Sequence, residues 1–116
     1  MAKIALITGA TSGIGYATAL CLGKHGFDLI LCGRRQERLD SLSAELKSYC
    51  ETHTLNFDVR DRNGVYKAIG SLHARWSQIH VLINNAGNAH GLDTIDQGDL
   101  DDWDAMLDIN VKGLLY

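Results

Sequence analysis

No pair of cysteines in this sequence is spaced for a metal ion. The three present, Cys21, Cys32 and Cys50, match neither Cys-x-x-Cys nor a zinc pattern, and their number is odd. Each lies in an apolar-periodic segment and reads as a small buried hydrophobe, which fits a reducing, cytoplasmic setting. An excess of either charge is also missing. Lys and Arg number 11 against 14 Asp and Glu, a net charge of −3, and the two signs are interspersed. That balance excludes a dedicated nucleic-acid binder, which carries a basic face. The few residues before Thr8 are too short for a signal peptide or a membrane span. The expectation is therefore a soluble intracellular protein with no membrane partner. Linkers, low-complexity segments and charge runs are absent. Proline is absent altogether, and nothing in the pattern explains that. The five histidines, His25, His53, His73, His80 and His90, show no ligand spacing and read as surface or core residues. With 116 residues the chain suffices for one small domain with a modest core.

What is present is a strict alternation. "KIALI" (3–7) predicts a buried strand. Residues 13–25 then carry Ile14, Ala17, Ala19, Leu20 and Leu22 at helical spacing and close on Lys24, His25 and Gly26, cations followed by a capping glycine. "DLILC" (28–32) predicts a second strand, and 36–48 a helix with Leu39, Leu42 and Leu46 on one face. "HTLNFDV" (53–59) predicts a third strand and 61–76 a helix with Asp61 as N-cap. "HVLINNAG" (80–87) predicts a fourth strand, and 98–116 a helix with an acidic first turn. Trp76 and Trp103 read as core or subunit-interface aromatics. Apolar strands alternating with amphipathic helices imply parallel βαβ units, an α/β fold.

Four constellations carry chemistry. In "TGATSGIG" (8–15), Gly9, Gly13 and Gly15 follow the first strand. Glycine there lets the backbone turn sharply and approach a ligand, and the next helix aims its N-terminal N–H groups at that ligand, which suits a pyrophosphate. A tight structural turn explains a glycine cluster nearly as well; its place at the first βα junction favours the ligand. "CGRR" ends the second strand. Where an acidic residue would bind the 2′-hydroxyl of NAD, this chain has Gly33 followed by Arg34 and Arg35. A guanidinium forks onto a 2′-phosphate, so the residues favour NADP over NAD, the alternative being two solvated arginines at a helix start. In "FDVRD", Asp58 can accept from the adenine amino group beside Val59, or cap the next helix. In "NNAG", Asn84 and Asn85 form a polar ledge, with Ala86 and Gly87 leaving room for a ring or ribose; one amide ties adjacent strands together, a role that suits Asn84. Asn88 and His90 stand in the loop beyond, near where a nicotinamide would lie.

The glycine motif after the first strand, "DV" after the third, "NNAG" after the fourth and "NV" in the last helix occur in order along the whole chain. Together they resemble the classical short-chain dehydrogenase/reductase family. "GRRQERL" and "DDWDAMLDINVKGLLY" look further like its NADP-dependent 3-hydroxy acid and serine dehydrogenase branch. The resemblance implies a Rossmann-like doubly wound parallel sheet, in the order 3-2-1-4 for the part present, with NADP across the strand ends. It implies hydride exchange between nicotinamide and a small alcohol or ketone, and a homo-oligomer, tetramer or dimer. It assigns Gly9, Ser12, Gly13, Ile14 and Gly15 to the phosphate loop, and Arg34, Arg35, Asp58, Val59, Asn85, Ala86 and Gly87 to cofactor contacts. Asn110 matches the family's proton-relay asparagine. The family's catalytic Ser, Tyr and Lys have no match here: Tyr16, Tyr49 and Tyr66 are followed four residues on by Leu20, His53 and Gly70, and Tyr116 is the last residue. The expectation is that residues 1–116 are the NADP-binding half of a larger single domain, with an open edge at the fourth strand. The competing expectation is a non-catalytic NADP(H)-binding module.

Overall fold

Alternate residues of the first strand face opposite ways, and both sets are apolar. Ile4 and Leu6 point to one side of the sheet, Ala5 and Ile7 to the other, and all four are buried. Such a strand needs cover on both faces, the condition met by a parallel sheet between two helical layers. The computed structural model has that architecture. It describes residues 2–87, 100–107 and 115. In chain order the elements are β1 (Ile4–Ile7), α1 (Gly13–Lys24), β2 (Asp28–Gly33), α2 (Gln36–Leu46), β3 (Thr52–Asn56), α3 (Arg62–Gly70), a single 3₁₀ turn (Ala74–Ser77), β4 (Val81–Ile83) and α4 (Leu100–Leu107).

The strands are parallel in the order β3-β2-β1-β4, as the resemblance implies. Register runs from Ile4 opposite Asp28 to Ile7 opposite Leu31, and from Ala5 opposite Val81 to Ile7 opposite Ile83. After β3 the chain crosses back to the far side of β1. The direction of winding thus reverses between β1 and β4, which opens a crevice at the carboxyl ends of these strands. On one face Ala5, Ile7, Leu29 and Leu31 pack with Ala19 of α1 and Leu39, Leu42 and Leu46 of α2. On the other, Ile4, Leu6, Ile30, Cys32 and Leu55 pack with Phe57, Ala68, Leu72 and Trp76.

Several elements differ from the sequence pattern. The β3 ladder ends at Asn56, so Asp58 and Val59 stand in the loop beyond the strand. The helix expected over 61–76 stops at Gly70, where the Ser71 N–H bonds back to Lys67 and Ala68, and the chain resumes as the 3₁₀ turn. Asp61 occupies the N-cap position in extended backbone, but its side chain makes no capping bond. The apolar residues expected on α1 divide: Ala19 is buried and Leu20 and Leu22 pack against the core, whereas Ile14 and Ala17 face solvent. Ile14 is 78% exposed, whereas Gly15, Ala19 and Gly23, spaced by four, are the buried seam. A Cβ on Gly23 would stand 2.8 Å from Leu46 Cδ2, so a larger residue there would have to push the Leu46 side chain aside. Of the cysteines, Cys32 is buried, which pushes its thiol up to about 12, and Cys50 is half-buried. Cys21 is exposed on α1 and is no part of the core. At the edge, β4 leaves Leu82 57% exposed.

The amino end of the sheet is fastened by charge. Arg75 reaches Asp28 at 2.5 Å and Glu51 at 2.6 Å and lies over the Trp76 ring, which stacks on His53. His80 accepts the Ile4 N–H through Nδ1 at 3.0 Å. Both histidines are structural and lie at the end opposite the crevice. Among the described residues no group of three His, Cys, Asp or Glu stands close enough to hold a metal ion. Among them, too, no helix is long and apolar enough to cross a membrane.

Candidate functional site

The crevice holds a cleft of about 350 Å³. Three walls meet there: Gly9, Thr11, Ser12 and Ile14 from the β1–α1 turn, Cys32 to Arg35 with Arg38 from β2 and α2, and Phe57 to Val59 with Asn85 to Gly87 from the loops after β3 and β4. The fold thus gathers ten residues singled out by sequence, Gly9, Ser12, Ile14, Arg34, Arg35, Asp58, Val59, Asn85, Ala86 and Gly87, around one space. Gly13 and Gly15 support that space from outside its lining. Asn110, Asn88 and His90 lie outside the described residues.

The glycines do three different jobs. Gly9 has φ +62°, and a Cβ on it would stand 3.0 Å from Asn85 Nδ2 and 3.1 Å from Ala86 Cα. Gly13 has φ +57° with nothing near its missing side chain, so it is required for conformation alone. Gly15 needs no positive φ; a Cβ there would collide with the Gly9 carbonyl and Asn85 Nδ2. Gly9 and Gly15 thus let α1 close on the turn, with Ser12 and Ile14 at its start lining the cleft. Ser12 sits at the N-cap in extended backbone, and its side chain makes no cap bond. The Ser12 hydroxyl therefore does not occupy the positive end of the helix dipole.

A latch joins this turn to β4. The Asn85 Nδ2 donates to the Gly9 carbonyl at 3.1 Å. Thr8 Oγ1 accepts the N–H groups of Asn85 and Ala86, each at 3.0 Å. The Thr8 N–H donates in turn to Ile83 O at 3.1 Å. The strand-tying amide is thus Asn85, while Asn84 is exposed. Asn85 N–H has a second acceptor in Ile83 O, but Thr8 is the acceptor recorded for Ala86. Replacing buried Thr8 by the isosteric valine should strand that donor and cost about 1–3 kcal/mol. Urea unfolding of the full chain checks it, with a lowered midpoint at unchanged m-value for Thr8→Val and a near-native midpoint for Thr8→Ser.

On the opposite wall the cations cluster. Arg34, Arg35 and Arg38 all border the cleft. At the strand end stands Gly33 in place of a carboxylate, and a Cβ there would press at 3.3 Å on Leu39 Cδ2 and Thr11 Cγ2, which would have to give by a few tenths of an ångström. The Asp58 carboxylate takes a fork from Arg60, with Nη2 at 2.7 Å from Oδ2 and Nε at 3.1 and 3.2 Å from the two oxygens. Arg34 Nη1 approaches the same Oδ2 at 3.9 Å. The Arg60 side-chain bonds, aided by its backbone N–H and by Arg34, hold the Asp58 carboxyl below its ordinary value of 3.8 against the opposing effect of partial burial. Asp58 is thus ionised at neutral pH. The stability gained from this pairing is present above the ordinary carboxylate value and fades as pH falls through the lowered one.

Thr8, Thr11, Arg38, Phe57 and Arg60 were not marked by the motifs. Arg38 was within reach of the sequence, since it lies one helical turn from Arg34 and Arg35. So was the Arg60 N–H, because an Asp accepting from the backbone two residues on is a common turn.

Comparison with known proteins gives the same picture. The short chain dehydrogenase family model matches residues 3–116. Sulfoacetaldehyde reductase 2 of Chromohalobacter salexigens is 44% identical over 115 residues, 99% of this chain and 46% of that protein. The NADP-dependent 3-hydroxy acid dehydrogenase YdfG of Salmonella typhi is 42% identical over 113 residues, 97% of this chain and 45% of that one. The closed form of serine dehydrogenase complexed with NADP+ superposes with a TM-score of 0.88 at 41% identity, covering 97% of this chain and 45% of that one. The chain therefore spans about half the length of the curated relatives it matches. With the parallel sheet, the glycine turn and NNAG in place, and the family model matched over nearly every residue, the chain belongs to the short-chain dehydrogenase family.

Proposed function

We propose that residues 1–116 form the coenzyme half of an NADP-dependent oxidoreductase whose substrate is a small acid bearing a hydroxyl or carbonyl group. The observation that carries the coenzyme assignment is the cleft itself. It sets the N-terminus of α1, uncapped by the Ser12 side chain, at one end and three arginines at the other, with Arg60-paired Asp58 the one lining carboxylate among the described residues. The first suits a pyrophosphate, and the second suits the 2′-phosphate that distinguishes NADP from NAD. Asp58 and Val59, between the two, suit the adenine edge, and Ala86 and Gly87 suit a ribose lying against the sheet. Gly9 and Asn85 hold the floor in shape. When bound, the coenzyme supplies or accepts the hydride at the substrate carbon while a proton moves on the oxygen. Asn110 is proposed for the relay of that proton.

The substrate class rests on the relatives' names. Serine at its carbon 3, a 3-hydroxy acid and sulfoacetaldehyde share one chemistry: an anionic head with the reacting carbon two bonds from its carboxyl carbon or sulfur. Assembly as a homo-oligomer is proposed on the family resemblance and on the exposure of Leu100 and Leu107 along α4. The test is NADPH oxidation by the full-length protein with 3-oxo acids, sulfoacetaldehyde and neutral ketones of equal size. The acids should be reduced at least about 10-fold more efficiently, a difference of roughly 1.4 kcal/mol in transition-state binding. Equal rates would remove the acid class, and the absence of any NADPH-dependent turnover would leave the non-catalytic module.

A further inference from the structure

Asp58 presents a puzzle for a site that is to hold a phosphate. It is a carboxylate in the cleft wall, 3.9 Å from the guanidinium best placed for that phosphate. A bare carboxylate would do harm twice: by repelling the ligand and by drawing Arg34 to itself. The chain has an answer two residues away. Arg60 stands outside the cleft lining and closes on Asp58 from behind, giving Oδ1 its backbone N–H at 2.9 Å and both oxygens its guanidinium. An ionised carboxylate offers about four acceptor positions, and Arg60 occupies most of them. Arg34, 56% exposed, is left with the single long contact to Oδ2.

We propose that Arg60 is a positioning residue for coenzyme selectivity: by forking onto Asp58 it cancels that charge and leaves the Arg34 guanidinium available for a 2′-phosphate. This rests on the reading of the cleft as an NADP site. Arg60 itself does not touch the ligand. Its effect runs through Asp58 onto Arg34, so it bears on NADPH and hardly on NADH.

The experiment measures dissociation constants of the full-length protein for NADPH and NADH in four variants: unsubstituted, Arg60→Gln, Asp58→Asn and the double substitution. Arg60→Gln should weaken NADPH about 10-fold and NADH less than 2-fold, because Asp58 then takes Arg34 as its partner. In the Asp58→Asn background the same change should alter NADPH by less than 2-fold, there being no charge left to capture Arg34. Arg60→Lys keeps the charge and should stay within about 3-fold of the unsubstituted protein. Equal weakening of both coenzymes by Arg60→Gln, an undiminished effect in the Asp58→Asn background, or Arg60→Lys failing as fully as Arg60→Gln would overturn the inference. An unsubstituted protein that prefers NADPH but is indifferent to Arg60→Gln keeps the coenzyme reading and loses the inference. One that binds neither coenzyme loses both.

Discussion

Replacing Arg34 by aspartate is expected to weaken NADPH binding by about 100-fold or more and NADH binding by less than about 3-fold. Two effects add. The first is loss of a charge-assisted, forked hydrogen bond to the 2′-phosphate, worth about 1.5–3 kcal/mol. The second is repulsion, since the new carboxylate would face the same phosphate, and Arg60 is already engaged with Asp58. NADH has a hydroxyl in that place, to which an aspartate is a good partner. The prediction is checked by titrating both coenzymes into the substituted full-length protein at one ionic strength, because the phosphate contribution is screened by salt. Equal losses for the two would remove Arg34 from the 2′-phosphate site.

The second large effect is expected from a change normally counted as favourable. Alanine for glycine inside a helix gains up to about 1 kcal/mol of propensity. At Gly15, in the first turn of α1, it should instead cost about 3 kcal/mol and lower the Tm by roughly 10 °C. The added methyl would meet a backbone carbonyl, that of Gly9, and the Asn85 amide bonded to it, neither of which is the far end of a flexible side chain. Relief requires α1 to move off the turn, which breaks the latch to β4 and displaces the helix N-terminus from the cleft. NADPH affinity should therefore fall together with stability. Gly13→Ala is the control. Its cost is the left-handed backbone alone, about 1–2 kcal/mol, because open space surrounds that position. Thermal melts of the two variants check the contrast; equal Tm losses would contradict the assignment of crowding to Gly15 and conformation to Gly13.

The parallel pairing was legible because β1 and β2 are apolar on both faces and each strand is followed by a helical period, while the order of the strands came with the family resemblance. The cleft's lining was legible for a related reason. In a doubly wound sheet the ligand lies past the carboxyl ends of the strands, so the residues just after "KIALI", "DLILC", "HTLNF" and "HVLI" had to converge. What the sequence hid were cases where packing overrides pattern. On α1, Ala19, Leu20 and Leu22 meet the core as the periodicity implies, but Ile14 and Ala17 face solvent, and two glycines, Gly15 and Gly23, join Ala19 in the buried seam. The amide that ties β1 to β4 is Asn85 rather than Asn84, a choice set by the backbone turn after Ile83 that adjacent identical residues cannot reveal. The extent of β3 was overestimated because Phe57 still faces the core and its N–H still bonds to Gly33 O, although the ladder has ended at Asn56. The Arg60 fork depends on a loop conformation that no periodicity encodes.

We propose that the cleft past β1, β2 and β3 takes the 2′-phosphorylated adenosine of NADP. The most direct test uses that fragment alone, with no substrate and no nicotinamide. Adenosine 2′,5′-bisphosphate and 5′-AMP are titrated in turn into the full-length protein, each followed by displacement with NADPH. The bisphosphate should bind at least about 10-fold more tightly than 5′-AMP, and NADPH should displace both. Equal affinity for the two nucleotides, or a bisphosphate that NADPH does not displace, would contradict it.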